Sequence, residues 1–402
     1  MSEAPAAPRG NPVRAIVFLA VVAFATQAMV RVTDSLLPQI AVDLGVTVGA
    51  ASIVVTIYLL AHGSVQLVIG PFGDRYGKYR CMALASAVAT VMVLWCGLAT
   101  SLPMLIAARL GSGIAAGWII PLALAFVGDV IPYERRQQVI GSFLSGQILG
   151  QLFGQAAGGV LGDLFGWRNV FFLLAGLFAL ATIGLFHELA RNPVTRARPA
   201  DAPEQTGYFA GYRLVLRSPW ARAIIVMAFV EFGMMFGAFT YVGADLHLRF
   251  GVSFTVVGLF VGMFAIGGLI YSLSVGALVQ RFGQSGLAAG GGILLALSYA
   301  TLAVGPHVYA APVAITLTGL GFYMLHNTLQ TNATQMTPEA RGTAVSIFSS
   351  SLYLGQTAGV AVNGVIFDHF TAVPVFAIAA ACLLALGLYF ARALKRRAQA
   401  IV

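Results

Sequence analysis

Several ionisable side chains of this sequence stand inside long apolar stretches. Asp34 lies in "MVRVTDSLLPQI", three residues after Arg31, and Glu231 lies in "VMAFVEFGMMFG". Desolvation disfavours the charged form of a carboxyl group, so a carboxyl group inside a membrane can load and release a proton as its surroundings change. Arg31 and Asp34 share one helix face and can neutralise each other, whereas Glu231 has no partner in its own segment. This pattern predicts proton-coupled chemistry at Asp34 and Glu231, with contact to a cationic substrate as the alternative.

Three further polar residues are candidates for the same chemistry. Arg109 lies in "LIAARLGSGIAAG", and an arginine within a membrane helix costs at least about 2.5 to 3.5 kcal/mol, so it should face a cavity or a partner. A purely structural ion pair is the alternative for Arg109. His62 and His326 can titrate near neutral pH, although a lone histidine more often forms a hydrogen bond inside a helix bundle.

The elements that must position these residues are membrane helices. Of 402 residues 59% are hydrophobic and 9% are charged, against roughly a quarter charged in soluble domains. A helix needs about 20 apolar residues to cross a hydrocarbon core of about 30 Å. Twelve stretches meet this length, and we number them as spans 1 to 12: 14–40, 47–70, 81–100, 103–131, 138–162, 167–188, 219–246, 252–279, 286–305, 309–335, 342–366 and 371–393.

Basic residues predict the orientation, because Lys and Arg concentrate in cytoplasmic loops. With the N-terminus inside, 19 of the 23 basic residues fall on the cytoplasmic side. Both termini are therefore expected in the cytoplasm. The net charge of +9 reflects this topology and attraction to the inner leaflet, and it does not indicate a nucleic-acid partner. The three cysteines lie in or beside spans and indicate neither a disulfide framework nor a metal site.

The chain is expected to use one unit twice. Residues 141–165 and 346–370 share 11 of 25 identical positions at a shift of 205, including the pair Asp163 and Asp368. Such internal symmetry is typical of transporters whose substrate site lies between two halves. The predicted organisation is a cytoplasmic tail, a six-helix bundle, a cytoplasmic linker, a second bundle and a C-terminal tail, at 1–13, 14–188, 189–218, 219–395 and 396–402.

The segment "GPFGDRYGKYR" after span 2 resembles the loop 2–3 signature of the major facilitator superfamily. Gly77 suits a tight turn, and Asp74 and Lys78 can pair along a helix. The resemblance implies a charge cluster that latches the outward-facing state and includes an acid at the end of span 4. Tyr79 stands where the family often has a second basic residue. Positive-inside topology alone is the alternative role of these residues, which are Gly70, Asp74, Arg75, Gly77, Lys78 and Asp129.

Three other segments carry the same resemblance. Arg109 lies in a pattern similar to the arginine motif of helix 4, and Asp34 with Pro38 is similar to helix 1 of drug:proton antiporters. Span 5 keeps the spacing of the antiporter glycine motif, with glutamine in place of its proline, at Gly141, Gly150, Gly154, Gln155, Gly158 and Gly159. We expect close packing of these glycines at the interface where the halves move. Candidate cavity-lining residues are Trp118, Gln147, Gln151, Phe322, Tyr323 and Asn327.

The resemblance covers nearly the whole chain and implies an all-α integral membrane protein with the major facilitator fold: twelve transmembrane helices in two pseudo-symmetric six-helix bundles. It implies a monomeric secondary transporter in the bilayer of a bacterial inner membrane, with protons and a small molecule as partners. No cofactor is expected, because the proton gradient supplies the energy. The favoured function is proton-coupled efflux of amphipathic or cationic drugs or metabolites.

Alternatives remain on the same fold and outside it. Export of a sugar or metabolite, or proton-coupled uptake, uses the same scaffold. A receptor or scaffold without turnover would normally bring a sizeable soluble domain, and the longest loop here is too short for one. An enzyme is not indicated, because the sequence has no His-Glu-x-x-His metal motif, no Gly-x-Ser-x-Gly elbow and no phosphate loop.

Overall fold

The computed structural model describes residues 12–131, 133–196 and 210–399. In these ranges the chain folds into α-helices joined by short turns, with two 3₁₀ turns at Pro193–Arg196 and Pro338–Ala340. The helices are α1 (Pro12–Leu44), α2 (Val48–Ala51), α3 (Ile53–Val65), α4 (Ile69–Tyr76), α5 (Lys78–Gly97), α6 (Leu102–Gly117), α7 (Ile119–Val130), α8 (Tyr133–Phe165), α9 (Trp167–Arg191), α10 (Ala210–Arg217), α11 (Pro219–Phe239), α12 (Val242–Phe250), α13 (Phe254–Val304), α14 (Ala310–Ala333), α15 (Arg341–His369) and α16 (Ala372–Gln399).

The protein is a multi-pass membrane protein. Within the described ranges, nine helical segments are long and apolar enough to cross a membrane. One of them, α13, contains predicted spans 8 and 9 and is interrupted at Gly283, whose φ of 62° is accessible to glycine at little cost. The count of twelve spans and the cytoplasmic position of both termini stay predictions. The predicted tails at 1–13 and 396–402 and the predicted linker lie partly outside the described residues.

The helices pack as two groups, which we call the N-half (α1–α9) and the C-half (α11–α16). In the N-half α1 packs on α8, and α5 packs on α6 and α9. In the C-half α11 packs on α15, and α13 packs on α14 and α16. The two halves meet mainly along two seams, α3 against α15 and α8 against α13, and α1 also contacts α12 and α13 of the C-half. The repeated segments, α8 and α15, therefore occupy corresponding positions.

The glycines of α8 lie on two different faces of the helix. A methyl group added to Gly150 or Gly154 would run into the backbone of Phe24 or Ala28 in α1, and Gly146, Gly158 and Gly162 also lie on α1. Of the glycine motif, Gly159 lies across the seam against Gly258 of α13. Adjacent helix positions differ by about 100° because a turn has 3.6 residues, so Gly158 and Gly159 point to different neighbours. The expected packing of the whole motif at the moving interface is therefore wrong for Gly150, Gly154 and Gly158, which close the N-half internally.

The segment predicted as a linker contributes an ordered helix. In α10 Val215 is buried, and the Tyr212 hydroxyl donates a hydrogen bond to the carbonyl oxygen of Leu67. Gly211 lies against Thr343 at the start of α15. The segment before α11 thus contacts both halves at the end of the bundle that carries the loop 2–3 signature.

Candidate functional site

The N-half holds a fully buried guanidinium. Arg109 on α6 is 0% exposed, and it donates hydrogen bonds to the carbonyl oxygens of Val54 (3.0 Å) and Met29 (3.2 Å). Its guanidinium carbon lies 4.0 Å from the centre of the Tyr58 ring, a cation–π distance. None of the ion pairs seen among the described side chains involves Arg109. Among the described residues, Arg109 is therefore held by backbone carbonyls and an aromatic ring and not by the ion pair that was the structural alternative.

Arg31 and Asp34 lie where the halves meet. Their nearest charged atoms, Nη1 and Oδ2, are 3.8 Å apart, which is an ion pair without a hydrogen bond. The guanidinium of Arg31 lies 3.5 Å from the centre of the Phe236 ring on α11. Asp34 Oδ1 accepts a long hydrogen bond of 3.4 Å from Thr240. In the described part of the chain, Nε and Nη1 of Arg31 and Oδ2 of Asp34 are buried without a hydrogen-bond partner.

The C-half holds a buried acid–base pair. Glu231 is 0% exposed on α11, and its Oε2 lies 2.8 Å from Nδ1 of His326 on α14. The imidazole stacks on Phe322, with ring centres 4.9 Å apart, and it also contacts Phe232. The second oxygen of Glu231 has no hydrogen-bond partner among the residues described. One proton on either side chain keeps the hydrogen bond intact, so the pair can carry a mobile proton in an apolar setting.

His62 lies apart from that pair, on the seam between α3 and α15. Its ring is 4.5 Å from the ring of Tyr353, edge to face, and it stacks on Tyr58. Both ring nitrogens are buried and lack a partner among the described residues. Ser350 donates a hydrogen bond of 2.8 Å to the carbonyl of Gly63 one residue further along. His62 therefore contributes to the contact between the halves and does not join Glu231.

The predicted cavity-lining residues are distributed over several places. Phe322 belongs to the aromatic cluster beside His326, and Tyr323 packs at its edge. Gln147 accepts a hydrogen bond of 3.2 Å from Gln27 of α1. Trp118 packs on Phe72, beside the loop 2–3 signature rather than at the buried charges. Gln151 and Asn327 are half-buried, while Gln155 is fully buried and its carbonyl accepts from Ser35.

The loop 2–3 signature brings together part of the predicted cluster. Lys78 Nζ lies 2.5 Å from Asp129 Oδ2, which joins α5 to α7 within the N-half. Gly77 has a φ of 91° and forms the turn between α4 and α5. Arg75 is exposed and lies over the ring of Tyr76. The surroundings of Gly70, Asp74 and Gly141 lie outside what the structure describes.

The spacing of Arg31 and Asp34 indicated their ion pair, but contacts between distant helices were not predicted. Glu231 and His326 stand 95 residues apart, and the partners of Arg31 and Asp34 across the interface, Phe236 and Thr240, were not candidates. Phe236 lies five positions after Glu231 on the same helix, and Thr240 lies nine positions after it, at the end of that helix. This closeness along the chain is the one sequence feature that links Phe236 and Thr240 to the candidate site.

Comparison with known proteins is consistent across sequence and structure. A family model described as Major Facilitator Superfamily matches residues 19–249 and 243–401. The uncharacterized MFS-type transporter YceJ of Bacillus subtilis is 24% identical over 85% of this chain and 87% of its own length. The multidrug resistance protein fnx1 of Schizosaccharomyces pombe is 25% identical over 50% of this chain and 40% of its own. The crystal structure of the nucleoside transporter NupG superposes with a TM-score of 0.73 at 15% identity, over 94% of this chain and 98% of that one.

Proposed function

Because the chain belongs to the Major Facilitator Superfamily and is therefore a membrane transporter rather than an enzyme, we propose that it exports an amphipathic or cationic organic compound in exchange for protons. Transport occurs by alternating access, in which the N-half and the C-half expose the site to one side and then to the other. The proton gradient drives the exchange, and the protein works as a monomer in the bacterial inner membrane.

The observation that carries the proposal is the hydrogen bond between Glu231 and His326. A fully buried carboxylate is costly unless it is paired or neutralised, and this one has a partner for only one oxygen among the residues described. Proton loading removes that cost without breaking the contact between the two side chains. The pair is therefore suited to bind a proton when the site opens to one side and to release it on the other.

The charges of the N-half complete the exchange. Arg31 and Asp34 contact Phe236 and Thr240 on the segment that follows Glu231, so they face, across the interface, the part of the C-half that carries the acid–base pair. A cationic or amphipathic compound that approaches the carboxylates makes protonation of them less favourable. Substrate and proton then compete for the site. Because the protonated and deprotonated states differ in their affinity for substrate, the proton gradient can drive the transport of substrate.

The relatives support the class of substrate only in part. One relative, fnx1, is a multidrug resistance protein, and the match to it covers half of this chain. The fold neighbour NupG is a nucleoside transporter, but at 15% identity this likeness concerns the fold alone. The glycine spacing of α8, which resembles the antiporter motif, favours exchange over uptake.

The experiment is proton flux in proteoliposomes against a panel of dyes, quaternary amines, sugars and nucleosides. We expect substrate-driven proton movement in the parent protein and its loss in Glu231→Gln, with a smaller defect in Asp34→Asn. Glu188→Gln is the matched control, because Glu188 is also a buried carboxylate but pairs with Arg14 and Asn192 at the far end of α9.

Each result decides between specific alternatives. Coupled flux that survives in both Glu231→Gln and Asp34→Asn would exclude a carboxylate mechanism. Protons and substrate moving in the same direction would replace antiport by symport, and flux with sugars or nucleosides alone would replace drug export by metabolite transport.

A further inference from the structure

Two aspartates join the halves at the end of the bundle opposite the loop 2–3 signature. Asp163, near the end of α8, accepts hydrogen bonds from the backbone amide (3.0 Å) and hydroxyl (2.6 Å) of Thr255 in α13. Asp368, near the end of α15, accepts from the amide of Gly49 (2.8 Å) in α2 and from the hydroxyl of Thr47. Each carboxylate therefore reaches from one half to the other.

The two contacts are related by the internal repeat. Asp163 and Asp368 are identical positions at the shift of 205 residues, and each accepts the amide of the second residue of a helix together with a threonine hydroxyl. Close packing of glycines accompanies both contacts, with Gly159 against Gly258 and Gly364 against Gly49. Two contacts of the same chemistry thus close the two seams symmetrically.

Helix capping explains why these bonds matter. The first four amides of a helix lack partners within it. The side chains of Thr47 and Ser253 cap their own helices by accepting from Ala50 and Val256. The amides of Gly49 and Thr255 are instead satisfied by a carboxylate of the opposite half, whose negative charge also favours the positive end of a helix dipole.

The strength of the contacts suits a joint that opens in every cycle. Both aspartates are exposed, so water can replace each partner when the halves separate. A fully buried ion pair would leave an uncompensated charge on opening. These contacts can shift the equilibrium between the closed and the open form of this end, and they can still be broken in each cycle.

We propose that Asp163 and Asp368 are positioning residues of the transport cycle, which hold the halves together at this end and must release their helix N-termini before the site opens there. This inference rests on alternating access as part of the proposed function. With the predicted topology, this end faces the cell exterior, so the two aspartates oppose the outward-open state.

The test compares distances between the halves in single and double alanine variants. Spin labels on cysteines at Leu98 and Tyr309, which are exposed, report the separation at the aspartate end. Labels at Tyr76 and Phe282, also exposed, report the opposite end. The background lacks Cys81, Cys96 and Cys382 and must retain transport.

The matched control is Asp43→Ala. Asp43 lies at the same end of the bundle and pairs with Arg168 at 2.7 Å, but both residues belong to the N-half. This variant therefore removes a carboxylate bonded at that end without removing a bond between the halves.

We expect Asp163→Ala and Asp368→Ala each to raise the ratio of open to closed molecules at this end by about two- to fivefold. The double variant should show about the product, because the contacts are on separate seams. The distance at the opposite end should shorten in the same variants, which loss of a merely structural contact would not cause. Asp163→Asn should lie between parent and alanine, because an amide oxygen still accepts.

Unchanged distances in the folded double variant would overturn the proposal, and so would an equal change in Asp43→Ala. The measurement needs neither substrate nor a proton gradient. A shift in distance without coupled flux in the liposome assay would therefore refute proton-coupled export and leave the role of the aspartates intact.

Discussion

The N-half and the C-half both bury ionisable side chains, but they stabilise them differently. In the N-half, Arg109 is held by two carbonyl oxygens and the Tyr58 ring. In the C-half, Glu231 and His326 hold each other through one hydrogen bond. A guanidinium stays charged under all physiological conditions, whereas a carboxyl–imidazole pair can share, gain or lose a proton.

The charge of Arg109 is therefore fixed, whereas the charge of the Glu231 and His326 pair can change by one proton. The N-half contributes a positive charge whose position is set by backbone groups of its own helices. The C-half contributes the groups whose charge can change during a cycle. Variants of these two buried groups should therefore fail differently: those at Arg109 in stability or geometry, and those at Glu231 and His326 in coupling to protons.

The largest effect is expected from Arg109→Lys. An ammonium group keeps the charge but cannot make both directed hydrogen bonds and lie flat on Tyr58. Loss of two charge-assisted hydrogen bonds should lower the free energy of unfolding by about 3 kcal/mol. Denaturation of the purified protein in detergent measures this. A variant as stable as the parent would show that the charge alone matters in the N-half.

The second effect is on the pH dependence of substrate binding. If substrate and one proton compete at the Glu231 and His326 pair, the apparent Kd should rise as pH falls, approaching about tenfold per pH unit where the substrate-free pair is mostly protonated. Glu231→Gln should flatten this dependence and Arg109→Lys should keep it. Equilibrium binding of a transported compound at a series of pH values distinguishes the two halves, and an unchanged slope in Glu231→Gln contradicts the comparison.

A third, smaller effect concerns the contact between the halves at Arg31. The guanidinium over Phe236 makes no hydrogen bond through Nε or Nη1 to any described residue, so the ring and Asp34 are its main stabilising partners. A double-mutant cycle of Arg31→Met and Phe236→Leu should give a coupling of about 1 kcal/mol. Thermal unfolding of the four proteins measures it, and additive single effects would mean that the stacked contact contributes nothing.

The smallest effect is expected from Thr240→Val. The hydroxyl of Thr240 is 3.4 Å from Asp34 and also donates to the carbonyl of Phe236 at 3.0 Å. A bond of that length contributes little, so stability should change by less than about 0.5 kcal/mol. A larger loss in the same unfolding measurement would make Thr240 a principal partner of Asp34.

The sequence predicted the helical membrane fold well because hydrophobic length is a local property. The same holds for the turn at Gly77 and for the location of Arg31, Asp34, Arg109 and Glu231 in apolar segments. These features depend on residues within one helix or one turn of each other, so no tertiary information is needed.

Partners between distant helices could not be predicted. Glu231 was expected without a partner in its own segment, and the structure supplies His326 from another helix. The glycine spacing of α8 indicated close packing but not against which helix, because a helix presents several faces and only the folded bundle assigns them. Asp163 and Asp368 stood out only as identical residues of the repeat, since their capping of the opposite half requires both halves in place.

The spacing of Arg31 and Asp34 has a consequence for biogenesis. The chain is synthesised from its N-terminus, and α1 is ready to enter the bilayer before Phe236 and Thr240 exist. A helix that carries two isolated charges pays roughly 2.5 to 3.5 kcal/mol for each on insertion. The i, i+3 ion pair lies within α1, so it can form before any other helix is present. The ion pair between Arg31 and Asp34 therefore also lowers the free-energy cost of holding α1 in the bilayer until the C-half has been synthesised.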